Sequence, residues 1–242
     1  MRNPIVTMSW DDGHSMDLRV AELLANHGLK ASFYVAFNHP DEKAISDDEI
    51  RILHSMGMEI GSHTLTHQLV TGRPAGEVRY ELRESKMRLE DILGVPVTSF
   101  SYPQGAFNAV VRAALVDTGY QIGRSTVAFR TAYDFDPLLM PISLEFCRYS
   151  RLAIVRHAMR DGNLAGLANW ASITGLETDP LSLGQLIFDS VSTRGGIFHL
   201  NARSWEVDAN GLWDQLKVMV SYVAEHPAIR RATNSEVLSF HD

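Results

Sequence analysis

The strongest constraint on the fold is an alternation: short β-forming runs, each followed by a helical pattern, most of them stopped by a glycine. Ile5–Trp10 reads as a strand. Met16–His27 places Leu18, Ala21, Leu24 and Ala25 on one helical face and ends at Gly28. Ala31–Phe37 is a second strand. Asp47 is expected to cap a helix through Met56, closed by Gly57. Met58–Gly61 reads as a short strand, and Pro74–Leu93 as a long Glu- and Arg-rich helix ending at Gly94. Val97–Tyr102 reads as a strand, Asn108–Thr118 as a helix, and Tyr120–Gly123 as the start of another strand. Strand–helix alternation at this spacing predicts parallel strands joined by right-handed crossovers, an α/β sheet or barrel.

The second half is less regular. Ala128–Pro141 breaks the rhythm and reads as a long excursion, followed by a helix and loop between Ser150 and Ile173. Gly195–His199 has the pattern of a buried strand, Leu212–Ala224 of a helix and Asn234–Ser239 of a short last helix. With no repeat and no linker-like tract, the expectation is one domain over residues 1–242. The formal charge of −7 disfavours a nucleic-acid partner. No stretch has the length of a membrane span. One cysteine, Cys147, excludes an intrachain disulfide, and no secretory leader is evident, so the expected compartment is the cytoplasm.

In alternating barrels the carboxyl ends of the strands carry the chemistry. Asp11 and Asp12, in the stretch Ser-Trp-Asp-Asp-Gly-His-Ser, lie at such an end. Two neighbouring carboxylates repel and are costly to bury. A cation removes that cost for one and leaves the other free as a base; alternatively, the pair is ordinary turn and capping chemistry. In Gly-Ser-His-Thr-Leu-Thr-His, His63 and His67 stand four apart and share a face if the segment is helical or tightly turned. They read either as unrelated polar residues or, with one carboxylate, as a three-ligand site with an open position, the pattern of a catalytic metal. Tyr102-Pro103-Gln104-Gly105 reads as a turn whose outward amides suit an oxyanion, or as a plain connection. His199, at the end of the Gly195–His199 run, is a proton-transfer candidate or a satisfied core histidine.

These motifs, in this order, resemble the polysaccharide deacetylases with the NodB homology domain, carbohydrate esterase family 4. The resemblance runs from Ile5 to about Val237. Ser9-Trp10-Asp11-Asp12-Gly13 is similar to the family's T-F-D-D-G motif, implying Asp11 as catalytic base and Asp12 as a metal ligand. His63-Thr64-Leu65-Thr66-His67 fits H-[ST]-x-x-H, implying that both histidines are ligands. The implied fold is a distorted (β/α) barrel, usually of seven strands. The implied cofactor is one divalent metal, zinc foremost, with cobalt or nickel as alternatives.

The later motifs depart from the family. Ser101-Tyr102-Pro103-Gln104-Gly105 stands where R-x-P-[FY]-G is usual. The family's arginine braces the catalytic aspartate, so some other group must tune Asp11; the Gln104 backbone amide can still serve the oxyanion. The fourth motif survives at most as Asn169-Trp170. Ile197-Phe198-His199 approximates L-x-H, implying His199 as general acid and Ile197 in the acyl pocket, with no acidic partner for the histidine evident. His14, Trp170 and Trp205 are further pocket candidates. The implied activity is removal of an N-acetyl or related acyl group from an amino sugar or oligosaccharide. The alternatives are hydrolysis of a small cyclic or acylated amide, as in allantoinase-like and deformylase-like relatives, or a non-catalytic metal-containing carbohydrate-binding protein.

Overall fold

All six residues of β1 (Ile5–Trp10) are buried, because the strand has neighbours on both sides and helices over its face. Such a strand reads as a continuous apolar run rather than an alternating one. The structure, a computed structural model, describes residues 3–37 and 44–240. After β1 the chain runs through α1 (Asp17–Asn26), β2 (Ser32–Val35), α2 (Asp47–Ser55), β3 (Glu59–Ser62), α3 (Ala75–Leu93), β4 (Ser99–Ser101), α4 (Ala109–Asp117) and β5 (Ile122–Arg124). It continues with β6 (Leu144–Glu145), α5 (Arg151–Arg160), α6 (Leu164–Thr174), α7 (Pro180–Arg194) and β7 (Ile197–Ala202). The last elements are α8 (Ser204–Ala209), α9 (Trp213–Ala224), β8 (Arg230–Arg231) and α10 (Asn234–Leu238).

Seven parallel strands in the order β5-β4-β3-β2-β1-β7-β6 curl into a half-barrel, the α/β distorted barrel that the alternation and the resemblance imply. The two-residue β8 pairs with the amino end of β1. The excursion expected over Ala128–Pro141 contributes to the open side. Met140 donates to the Gly123 carbonyl and accepts from the Ser125 amide, both at 2.8 Å, so the segment docks on β5 before the chain enters β6.

Several boundaries differ from the sequence reading for local reasons. Ser46, not Asp47, caps α2: its hydroxyl accepts from the Glu49 amide, while Glu49 Oε2 accepts from the Ser46 amide at 2.7 Å. β7 runs on past His199 to Ala202, because Asn201 and Ala202 are in register with Ser9 and Trp10. His199 therefore sits in the middle of its strand. The Ser150–Ile173 region holds two helices, α5 and α6. Helix α7, with Asp179 as N-cap and Pro180 in its first turn, is an element the sequence reading missed, as is α8.

Asp17 opens α1 and is fully buried. It accepts from the Ser204 hydroxyl at 2.6 Å and from the His14 amide at 3.2 Å, fastening α1 to the α8 end of β7. Burial outweighs these two bonds and pushes its carboxyl up to about 8. A raised acid pKa means that the folded chain holds a proton the unfolded chain lacks. Its stability contribution is complete below the usual carboxylate pKa and fades as pH rises through about 8. In metal-free protein, denaturant unfolding between pH 5 and pH 9 is expected to show stability falling with pH; Asp17→Asn is expected to flatten that slope while keeping the fold.

Candidate functional site

The carboxyl ends of β1, β3, β4, β5 and β7 meet at one edge, and the expected residues converge there. Asp12, two residues past the end of β1, lies in the left-handed region at φ 82°, followed by Gly13 at φ 70°. Aspartate tolerates that conformation, whereas a Cβ on Gly13 would press on Val35 at 3.0–3.2 Å. Asp12 Oδ1 lies 3.5 Å from His63 Nε2 and 3.1 Å from His67 Nε2. One ligand atom from each of the three residues falls within 4.8 Å of the others. Asp12 Oδ2 accepts from the Trp205 indole at 2.8 Å. Trp205, a pocket candidate in the sequence, thus orients Asp12.

The donor set fits a divalent ion. His63 Nδ1 lies 2.8 Å from the Ser101 carbonyl, which only accepts, so Nδ1 carries the proton and Nε2 turns a lone pair toward Asp12. Asp12 Oδ1 is buried without a hydrogen-bond partner. Two lone-pair atoms facing each other in a buried site need a cation or a proton between them. Burial raises the Asp12 carboxyl, but its interactions with His63 and then His67 more than offset that and hold the group far below the usual carboxylate range.

The histidine pair is not helical. Thr64 and His67 adopt φ of 67° and 57°, costly for a β-branched residue and uncommon for histidine. Glu81 of α3 supports the loop: its carboxylate accepts from the Leu65 and Thr66 amides at 3.0 Å and from the Thr66 hydroxyl at 2.9 Å.

Asp11 points the other way. Its Oδ1 is paired with Arg124 of β5 and accepts from the Ser101 hydroxyl at 3.3 Å; Oδ2 lies 3.5 Å from Asn201 Nδ2. Both Asp11 and Arg124 are buried. Burial raises the Asp11 carboxyl, yet Arg124, and after it His63, hold it below its ordinary value. The group that Ser101 leaves missing is therefore supplied from the next strand. A charged residue just after the Tyr120–Gly123 run, at the edge shared with Asp11, was the available signal. Arg203 is a second cation that the sequence reading missed. It follows β7 and lies 3.6 Å from Asp12, 3.1 Å from Glu145 and 2.8 Å from Glu206.

The remaining candidates do not join the Asp12–His63–His67 cluster. His199 is buried beneath the site, with Nε2 2.8 Å from the Ser9 hydroxyl and Nδ1 2.9 Å from the Pro141 carbonyl. Burial, reinforced by Arg124, pushes it down to about 3, so it is neutral near pH 7. Ile197 lies at the amino end of β7, in a small cluster with Ile5 and Val237, at the opposite end from Asp12. Trp170 stacks behind Phe129 and donates to the Glu177 carbonyl at 2.7 Å. Tyr102 is buried, its hydroxyl on the Leu138 carbonyl at 2.7 Å. Gln104 sits in the following turn at φ 54°. His14 accepts from the Met16 amide at 3.1 Å through Nδ1.

A barrel edge carrying an Asp-His-His cluster that could hold a metal, with a second, separately paired aspartate beside it, sets this chain among α/β half-barrel proteins with a convergent site at the strand ends. The family model for polysaccharide deacetylase matches residues 1–123, half of the chain, and the protein belongs to that family. YxkH of Bacillus subtilis is 27% identical over 123 residues, covering 50% of this chain and 44% of its own. SCO4760 of Streptomyces coelicolor is 23% identical over 137 residues, covering 57% and 53%. The matched part thus spans about half the length of these relatives. Among solved structures, a family 4 acetyl xylan esterase from Clostridium thermocellum with a cobalt ion superposes at TM-score 0.61 and 12% identity, over 98% of this chain and 91% of that one. The Xyl-CE4 domain of a xylanase from the Trinervitermes trinervoides hindgut metagenome gives 0.57 and 18%, over 99% and 91%. BA3943 of Bacillus anthracis, a CE4 family pseudoenzyme, gives 0.59 and 14%, over 98% and 66%. These likenesses establish the fold. No helix among the described residues is long and apolar enough to cross a membrane.

Because Glu81 restrains the strained loop, Glu81→Ala is expected to lower zinc affinity about tenfold or more with secondary structure intact. Competition with a chromophoric chelator, alongside circular dichroism, checks this.

Proposed function

We propose that this protein is a metal-dependent hydrolase that removes an N-acetyl or related acyl group from an amino sugar or a similar small amide. The observation that supports it is the division of labour between adjacent aspartates: Asp12 faces two imidazoles while Asp11 faces Arg124. Asp12, His63 and His67 would hold the ion, with zinc, cobalt or nickel suiting two imidazoles and one carboxylate. When bound there, such an ion supplies Lewis acidity and brings the pKa of water toward 7.

The chain's own groups do the rest. Asp11, kept ionised by Arg124, accepts the proton of the attacking water. The Gln104 backbone amide, in its left-handed turn, donates to the oxygen that gains charge on the amide carbonyl. His199, neutral and sealed between Ser9 and Pro141, braces β7 against β1 and is not the proton donor in this reading. Asp11 itself returns the proton to the departing nitrogen. The bond between carbonyl carbon and nitrogen breaks, leaving an acid and an amine.

A second reading, a metal-containing binding protein without turnover, draws on one feature. Asn201, which carries no transferable proton, faces Asp11 on the side away from Arg124. Kinetics and metal analysis separate the two. Asp11→Asn is expected to retain stoichiometric metal but lose about 100-fold or more of its activity on acetylated sugars. His63→Ala is expected to lose both. Undiminished turnover in Asp11→Asn removes the base assignment, and an inactive, metal-loaded wild type across acetylated sugars and cyclic ureides favours the binding protein.

A further inference from the structure

One βαβ crossover needs a single helix, yet three lie between β6 and β7. Helix α7 packs against both strands and makes the crossover. Helices α5 and α6 are surplus to it. Helix α5 and the turn into α6, through Asp161 and Asn163, line a cavity of about 220 Å3 whose other sides include Phe129, Leu144 and Leu183.

The cavity adjoins the cluster. Arg203 lines it and lies 3.6 Å from Asp12; Gln104, the turn residue assigned to the oxyanion, lines it as well. Across from them stand Ile154, His157 and Ala158 of α5. Side chains fasten this wall to the barrel. Asn163 caps α6 and donates to the Ala128 carbonyl at 2.7 Å, Asn169 donates to the Phe129 carbonyl at 2.9 Å, and Trp170 stacks on Phe129 from behind. The Asn169-Trp170 pair thus supports the wall and does not touch the cluster.

We infer that this cavity is the substrate pocket and that it takes a compact N-acyl compound of about one ring, not an internal unit of a glycan chain. This rests on the hydrolase reading above. Its size is decisive: about 220 Å3 falls below the ~300–1,000 Å3 of pockets that hold drug-sized ligands. An internal sugar unit must also let chain leave at both ends, and α5 with the turn into α6 lines this cavity beside the barrel. Chemistry agrees. Apolar Leu144, Ile154, Ala158 and Leu183 suit a ring face and the acyl methyl. Glu145 Oε1 is buried and ion-paired with Arg203 at 3.1 Å but accepts no hydrogen bond, which leaves it able to accept a hydroxyl or N–H of the ligand.

Calorimetry of zinc-loaded Asp11→Asn protein with N-acetylglucosamine and with chitopentaose, together with wild-type hydrolysis of both, tests this. The monomer is expected to bind at least as tightly as the pentamer. Adding Ala158→Trp, which fills the cavity, is expected to weaken monomer binding at least tenfold with zinc content unchanged; Ala158→Leu is the milder variant should the tryptophan disturb folding. Affinity or turnover that rises with chain length, failure of the monomer to bind, or indifference to both substitutions overturns the inference. Hydrolysis that favours the pentamer refutes the pocket assignment and keeps the hydrolase. Cavity-dependent monomer binding without hydrolysis keeps the pocket and refutes the hydrolase.

Discussion

The site depends on how two adjacent buried carboxylates are kept apart in charge. Asp11 and Asp12 are covalent neighbours, 2% and 4% exposed, and neither tolerates that burial without a cation. The fold gives each a different partner. Arg124 comes from β5, four strands away in the sheet, and pairs with Asp11; the imidazole pair after β3 faces Asp12. Ser101 of β4 lies between, its hydroxyl on Asp11 and its carbonyl on His63, so one residue ties the two arrangements together. The curl of the half-barrel is what brings β5 close enough for Arg124 to reach Asp11.

Local strain accompanies this geometry. Asp12, Thr64, His67 and Gln104 all hold positive φ at the same edge. Conformations of this kind cost on the order of 1–3 kcal/mol each and persist only where the surroundings over-determine them. Here the supports are visible: Glu81 beneath the histidine loop, and Trp205 on Asp12. Strain concentrated beside a convergent donor set is what a preorganised site looks like, since the donor atoms are already placed together.

Much of this was legible in the sequence. Each of β1 to β5 announces itself as a short apolar run before a helical pattern, and the four residues at the heart of the site sit in local motifs directly after strands. What was hidden depends on register and topology. Arg124, Asn201 and Arg203 reach the site only because their strands are neighbours in a curled sheet, a relation no local spacing encodes. His199 was placed at a strand end because its apolar run stops there; β7 in fact continues through polar Asn201, whose side chain faces Ser9 and Asp11. The same shift sends Ile197 to the far end of the barrel. Trp170 was drawn in by its position beside an asparagine, whereas helix periodicity turns it onto Phe129.

The charge partition itself is testable by equilibrium unfolding in a double-mutant cycle on Asp11 and Arg124, using metal-free protein. If Arg124 is what holds the Asp11 charge, Arg124→Met alone costs about 3–5 kcal/mol, because it strands a buried carboxylate. Asp11→Asn added to it then restores most of that loss, a strongly non-additive result. Losses that simply add would show that the pair carries no coupling, and that Asp11 owes its ionised state to something other than Arg124.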